Sequence, residues 1–279
     1  MRIYSPTQTE DYLFCPMLRA LKSGERWVPL RAGKKDLAGI LGAGFHAAMA
    51  EHNRHNSEAA LCVETGLVCM AERLQDLERA GRVIDPADYP MRDALSPRLT
   101  VAVTKFLAQN PIPATWRTQK VEFEIPNSGG SRLDLVVHDG RAPVIIDYKL
   151  KLTLGAYYRE KEFARIRRSW QLYHYAHFYG AHVGVPVERF IVLMVVLEPR
   201  FEIIPLDRTT VILSPEKLAL WRTFAERTWA DMEAEDTGVR EPRGQTFCET
   251  PFGPCEMLDA CWTFMYDEGL MQTKYVRRS

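Results

Sequence analysis

Hydrophobic and polar positions divide the chain into helical and extended stretches. Ser5-Pro6-Thr7 opens a helical pattern over 5–22, with proline at an early helical position. Helical periodicity returns over 36–56. There Gly39, Gly42 and Gly44 weaken the first half and let a neighbour approach the backbone closely. Residues 57–80 form an amphipathic pattern ending at Gly81, and 92–109 form another ending near Asn110-Pro111. The period then changes to two. Residues 116–125 alternate, Asn127-Ser128-Gly129-Gly130 is a turn, 131–138 follow, Asp139-Gly140 turns again, and 143–151 extend. These runs predict a meander of three antiparallel strands. Helix returns over 156–183. The β-branched run 189–197 predicts a buried strand with 201–206 able to pair beside it, and Ser214-Pro215-Glu216 opens a last helix to about 235. The order predicts an α/β (α+β) fold, a mixed central sheet flanked by helices.

Composition changes this picture little. The chain has 279 residues, 46% hydrophobic and 26% charged, enough for a real core in one large domain or two small ones. Basic and acidic residues balance at 36 each, so nucleic-acid binding draws no support from whole-chain charge and needs a local basic surface. No N-terminal segment has a charged-then-apolar layout, and no apolar run reaches the roughly 18 residues of a membrane span. The expectation is a cytoplasmic protein with no membrane partner.

In a reducing compartment six cysteines argue for metal or packing, not disulfides. Cys62 and Cys69 lie on one predicted helix and read as core. Cys15, before Pro16, and Cys248, Cys255 and Cys261, in CETPFGPCEMLDAC, lie at opposite ends of the chain. Four thiolates close one centre, either Zn²⁺ or a [4Fe–4S] cluster, and a single centre would clasp the two ends.

The meander carries the candidate chemistry. Asp147 and Lys149 share a strand face, and Asp134 on the neighbouring strand can stand beside Asp147. Both carboxylates sit in apolar strands, where an unpaired charge is costly. A bound Mg²⁺ or Mn²⁺ removes that cost. Lys149 could then orient an attacking water or stabilise charge on a phosphate. The plain alternative is a buried Asp–Lys ion pair. His46, in an otherwise small and apolar helical stretch, is either a metal ligand or a satisfied core residue. Gln171 and Tyr175 share a helix face and either position the lysine or a DNA strand, or serve structure. Lys151 is a rival to Lys149. Glu122 and Glu124 on the preceding strand either support the site from behind its ligands or, on the plainer reading, form an exposed strand face. Arg159, Lys161, Arg165, Arg167 and Arg168 with Tyr157, Tyr158 and Trp170 combine cations and aromatics as single-strand binders do, although Glu160 and Glu162 dilute the charge.

In this order, His46, Asp134, Asp147-x-Lys149 and Gln171-x-x-x-Tyr175 resemble the RecB-like nucleases of the PD-(D/E)XK superfamily. Cys15 and the three C-terminal cysteines resemble that family's iron–sulfur branch, which includes the CRISPR-associated exonucleases, the AddB-type nuclease domains and phage relatives. The gap between Cys248 and Cys255 is longer than that branch usually has. The resemblance implies a restriction-endonuclease-like core. It implies Mg²⁺ or Mn²⁺ held by His46, Asp134 and Asp147 with the Tyr148 carbonyl. Lys149 would be catalytic, Gln171 and Tyr175 supporting, and Arg165, Arg167, Arg168, Trp170 and Tyr175 would contact DNA. It also favours a structural [4Fe–4S] cluster over Zn²⁺ at Cys15, Cys248, Cys255 and Cys261. The chain would be one nuclease domain over 1–279, with 1–35 and 240–279 as the clasp, 57–110 a helical insertion and 116–212 the catalytic core. The activity implied is a metal-dependent DNA exonuclease working at single-stranded ends, with endonuclease activity left open beside it, in phage or prokaryotic recombination, repair or CRISPR adaptation. Two rivals stand beside it: a nuclease-fold subunit that mainly binds DNA or partner proteins, and a zinc-stabilised endonuclease.

Overall fold

A computed structural model of the chain describes residues 2–15, 19, 27–167, 169–187, 189–205, 215–235, 249–250, 253–254 and 271–277. Cys248, Cys255, Cys261 and Arg168 lie outside the described residues, as do the side chains of Arg165, Arg167, Tyr157 and Tyr158.

Helix α1 (Pro6–Phe14) starts at a capping box, in which Ser5 Oγ accepts from Gln8 N and Gln8 Oε1 accepts from Ser5 N. It ends at Phe14, where Cys15 turns to extended backbone; within the rest of the predicted stretch Arg19 is helical. After the short strands β1 (Trp27–Pro29) and β2 (Arg31–Ala32) come α2 (Lys34–His55) and α3 (Ala59–Arg79). Strand β3 (Val83–Ile84), α4 (Tyr89–Asp93) and α5 (Leu95–Gln109) follow. The predicted meander is β4 (Arg117–Glu124), β5 (Arg132–His138) and β6 (Pro143–Thr153). The single helix predicted over 156–183 is two, α6 (Ala156–Arg167) and α7 (Trp170–Val183). Ser169 caps α7 by accepting from Gln171 N at 3.2 Å. Strands β7 (Arg189–Glu198) and β8 (Glu202–Pro205) and helix α8 (Pro215–Glu235) complete the main body.

The sheet runs β4-β5-β6-β7-β8. The meander pairs antiparallel, β6 and β7 pair parallel, and β8 returns antiparallel. A parallel neighbour needs a long crossover, and α6 with α7 supplies it. Each sheet face buries an apolar core. On one side α1, α7 and α8 cover Leu133, Val136, Ile145 and Met194. On the other, α2, α3 and α5 cover Leu135, Ile146, Tyr148 and Leu193. Strand β7 is buried on both faces, which is why it reads as an unbroken apolar run.

Two details fix the position of α2. Gly44 and Gly66 meet where α2 crosses α3: a Cβ on Gly66 would lie 2.7 Å from the Gly44 carbonyl oxygen. Gly39 and Gly42 have open space instead. At the start of α2, Asp36 accepts from Gly33 N and from the buried Arg82 guanidinium, which also donates to the Pro29 and Arg31 carbonyls. The two ends of the chain meet through backbone pairing. After the short paired strands β9 (Glu249–Thr250) and β10 (Gly253–Pro254), strand β11 (Tyr275–Arg277) lies antiparallel to β1, and Leu30 N donates to Lys274 O. Among the described residues no helix is long and apolar enough to cross a membrane.

Candidate active site

The site forms where the sheet splits. Strands β5 and β6 are paired from His138↔Pro143 as far as Leu135↔Ile146, and there the ladder stops. Beyond it the Asp134 carboxylate takes the place of a backbone carbonyl, its Oδ2 accepting from Tyr148 N at 2.7 Å. Strand β6 continues against β7 as far as Thr153. The end of β6 therefore leaves β5 while staying anchored to β7. Asp134, Asp147 and Lys149 lie at this fork.

Alternation along β6 sorts its side chains. Ile146 and Tyr148 enter the core under α2, and Ile145 enters the core under α7. Asp147 and Lys149 share the face of Ile145. The Lys149 ammonium donates to Asp147 Oδ1 at 3.1 Å and lies 2.9 Å from Oδ2. It also donates to Gln171 Oε1 at 3.3 Å, and Gln171 Nε2 donates to Tyr175 Oη at 2.7 Å. Because an ammonium can only donate, the amide must turn its oxygen to Lys149, and the tyrosine hydroxyl accepting from Nε2 holds it that way. The helical spacing that set Gln171 and Tyr175 on one face thus builds a relay to the lysine. Lys151 is held elsewhere, 2.7 Å from Glu162 Oε1 on α6.

From the opposite side α2 delivers His46. Its Nδ1 lies 3.2 Å from Asp134 Oδ1, and its ring meets the Tyr148 ring edge-on. Tyr148 is buried against Phe45 and Phe106, and its hydroxyl accepts from Asn53 Nδ2 at 3.1 Å. That packing fixes α2 over β6.

Glu122 joins the group, contrary to its reading as part of an exposed face. Val121 pairs with Leu135 and Phe123 with Leu133, so Glu122 stands across from Asp134. One ligand atom from each of His46, Glu122 and Asp134 falls within 4.8 Å of the others. Oxygen and nitrogen ligands sit about 2.0–2.4 Å from a divalent ion, so one ion can touch all three. Glu124 is exposed, as expected.

The electrostatics suit a cation. Burial pushes the Asp147 carboxyl above the usual range, and the Asp134 charge adds to this against the pull of Lys149. Asp147 Oδ2 is buried against the Lys149 ammonium at 2.9 Å. Glu122 is also raised, first by burial and then by Asp134. Burial opposes the charging of His46, but its hydrogen bond to Asp134 and the charges of Asp134 and Asp147 outweigh burial and raise its pKa. Mutually repelling carboxylates beside one imidazole fit a hard divalent ion, which would offset their charge. By contrast His174 is a core pin. It is fully buried, bonded to Ser128 O and Ser131 Oγ, and pushed down to about 4 by burial.

Of the residues put forward for DNA contact, Tyr175 lies within the relay. Trp170 is half-buried, with its ring 5.6 Å from Trp221 and 5.4 Å from Phe224 on α8. Arg159, from the same basic segment, pairs with Glu202 at 2.8 Å. Cys15 is buried at the end of α1. Cys62 is fully buried and Cys69 partly so.

No curated protein matches the sequence. Among solved structures the chain is similar to a crystal structure named "Putative exonuclease" from Eubacterium rectale, with 12% identity and a TM-score of 0.47, over 96% of this chain and 94% of that one. The model of the PD-(D/E)XK nuclease superfamily matches residues 3–262, a span that holds His46, Asp134, Asp147, Lys149, Gln171 and Tyr175. By that match the chain belongs to the PD-(D/E)XK nuclease superfamily.

Proposed function

We propose that this chain is a divalent-metal-dependent deoxyribonuclease that removes nucleotides from single-stranded DNA ends. The observation that carries the reading is the unbroken series of contacts from Tyr175 through Gln171 and Lys149 to Asp147, with Asp134 and His46 at the same fork. A subunit that only bound DNA or partner proteins would have no use for a lysine oriented this way between a buried carboxylate and a fixed amide.

His46, Asp134 and Asp147, with the Tyr148 carbonyl, would hold Mg²⁺ or Mn²⁺. When bound, such an ion polarises a phosphoryl oxygen and lowers the pKa of water at neutral pH. Asp147 and Gln171 hold the Lys149 ammonium in place without reorganisation during the reaction. From there it stabilises charge that builds on the scissile phosphate. Trp170 and the arginines at 165, 167 and 168 would grip the incoming strand by stacking and phosphate contact. The setting would be phage or prokaryotic recombination, repair or CRISPR adaptation, with partner proteins from the same complex.

End-labelled linear single-stranded DNA should shorten progressively when Mn²⁺ or Mg²⁺ is added, and a chelator should stop the reaction. Circular single strands should survive, and Asp134→Asn should be inert on every substrate. If the full chain cleaves no DNA with either ion, the binding-subunit reading takes over.

The chain would be one domain over 1–279, with a helical insertion at 57–110, a catalytic core at 116–212, and 1–35 and 240–279 clasped by a [4Fe–4S] cluster on Cys15, Cys248, Cys255 and Cys261. The burial of Cys15 and the pairing of β1 with β11 support a meeting of the two ends. Anaerobically purified protein should be coloured and carry about four irons per chain, and Cys15→Ser should lose both colour and iron. Colourless protein containing zinc would replace the cluster with a Zn²⁺ clasp.

A further inference from the structure

We infer that Glu122 is itself a ligand of the divalent ion, binding it directly through a carboxylate oxygen beside His46 and Asp134. The inference rests on the metal-dependent reading of the same site and adds a residue to it from a third strand.

The backbone turns Glu122 toward the site. In a regular strand Val121 and Phe123 would face the same way. Here Val121 packs with the core under α2 and Phe123 with the core under α7. Strand β5 does the same on the matching rung: Leu135 faces the α2 side and Leu133 the α7 side. Both strands therefore change face at the rung that carries Glu122 and Asp134. In β4 the change is made by a left-handed residue, Glu122 itself, at φ +48°. The result takes both acids out of strict alternation, and the two carboxylates converge with His46 within 4.8 Å.

A purely structural role does not account for this. The described ion-pair partner of Glu122 is Arg132, 3.7 Å away and largely exposed. A surface pair of that kind contributes about 0–1 kcal/mol, whereas a non-glycine residue in the left-handed region costs about 1–3 kcal/mol. The arrangement also crowds carboxylates. Continuing the β5–β6 register one step sets Asp147 beside Asp134, so three acids stand on three neighbouring strands. A ligand role for Glu122 explains why the third acid is there.

The test is Mn²⁺ binding to the full-length, DNA-free protein, followed by calorimetry and by the electron-paramagnetic signal of free Mn²⁺. Glu122→Gln keeps the shape and removes the charge. It should weaken Mn²⁺ binding at least about 10-fold. Asp134→Asn should weaken it as much or more, and Glu124→Gln should leave it unchanged. Wild-type affinity in Glu122→Gln, with or without a lower melting temperature in the absence of metal, overturns the assignment and leaves Glu122 a structural residue. Loss in Glu122→Gln alone, with Asp134→Asn unaffected, also overturns it, because the two acids are said to share one ion. Wild-type affinity in both variants removes the metal site as a whole, which is the failure of the underlying reading.

Discussion

Lys149→Ala should lower the cleavage rate by about 100- to 1,000-fold or more, the loss seen when one preorganised donor to a developing charge is removed. Among the described residues its rival on the strand, Lys151, cannot replace it. Lys151 points along the same strand face but is bound to Glu162. The deletion has a second, separable consequence. Asp147 is buried, its carboxyl is already raised by burial, and Lys149 is the largest influence opposing that shift. Without the ammonium the raised pKa goes higher. A carboxyl whose folded pKa exceeds its unfolded value destabilises the fold when ionised. Metal-free Lys149→Ala should therefore gain stability as pH falls through its raised Asp147 pKa, levelling off below the ordinary carboxylate value of about 4, and the total gain should exceed that of wild type. Mn²⁺ should restore stability at neutral pH without restoring cleavage. Denaturant titrations at several pH values, with and without Mn²⁺, separate the two effects. If Lys149→Ala keeps more than a tenth of the wild-type rate, another group carries the role, and the tie between Lys149 and Gln171 is structural.

What could be read from the chain and what could not follow from how far each signal reaches. Asp134, Asp147 and Lys149 were legible because strand alternation is local: a turn and a period of two suffice to place an acid beside an acid and a lysine on its face. Gln171 and Tyr175 were legible for the same reason, through the helical repeat. Their contact with Lys149 needs α7 to lie on that face of the sheet, which the sequence order suggests and the crossover between β6 and β7 supplies. The orientation of Glu122 comes from one left-handed residue, which a period of two does not register. The break between α6 and α7 was missed because the apolar pattern runs through it. The signal was Ser169, a capping residue followed by an apolar run. Helix α1 ends at Phe14 because Cys15 turns to extended backbone, a turn that periodicity does not register. The pairing of β1 with β11 joins segments from opposite ends of the chain and leaves no local pattern. Long-range pairs of this kind are set by the packing of everything between them.

Gly66→Val should be the most destabilising change outside the site, by about 3 kcal/mol, at the upper end of what forcing atoms into a packed interior costs. Even the first added atom has no room. A Cβ at Gly66 meets the Gly44 carbonyl oxygen at 2.7 Å and Leu99 Cδ2 at 2.9 Å. The first of these is backbone and cannot rotate away. Gly44→Ala should cost less, because its nearest contact is Met70 Cγ at 2.5 Å, on a flexible side chain, although the Gly66 carbonyl oxygen follows at 2.9 Å. Gly42→Ala, in the same helix with open space around it, should gain up to about 1 kcal/mol from helix propensity and reduced freedom of the unfolded chain. Urea melts of the three variants test the order. Similar values for Gly42→Ala and Gly44→Ala would show that the helix crossing is looser than its contacts indicate. The crossing also bears on function. His46 follows Gly44 by two residues on α2, and its Nδ1 lies 3.2 Å from Asp134. A side chain that pushes α2 off α3 also shifts the imidazole against the carboxylate on β5. Where a milder variant such as Gly44→Ala still folds, Mn²⁺ affinity should therefore fall although no ligand has been changed. The core between α2 and α3 thus holds His46 over the fork in the sheet, and loosening it loosens the metal site.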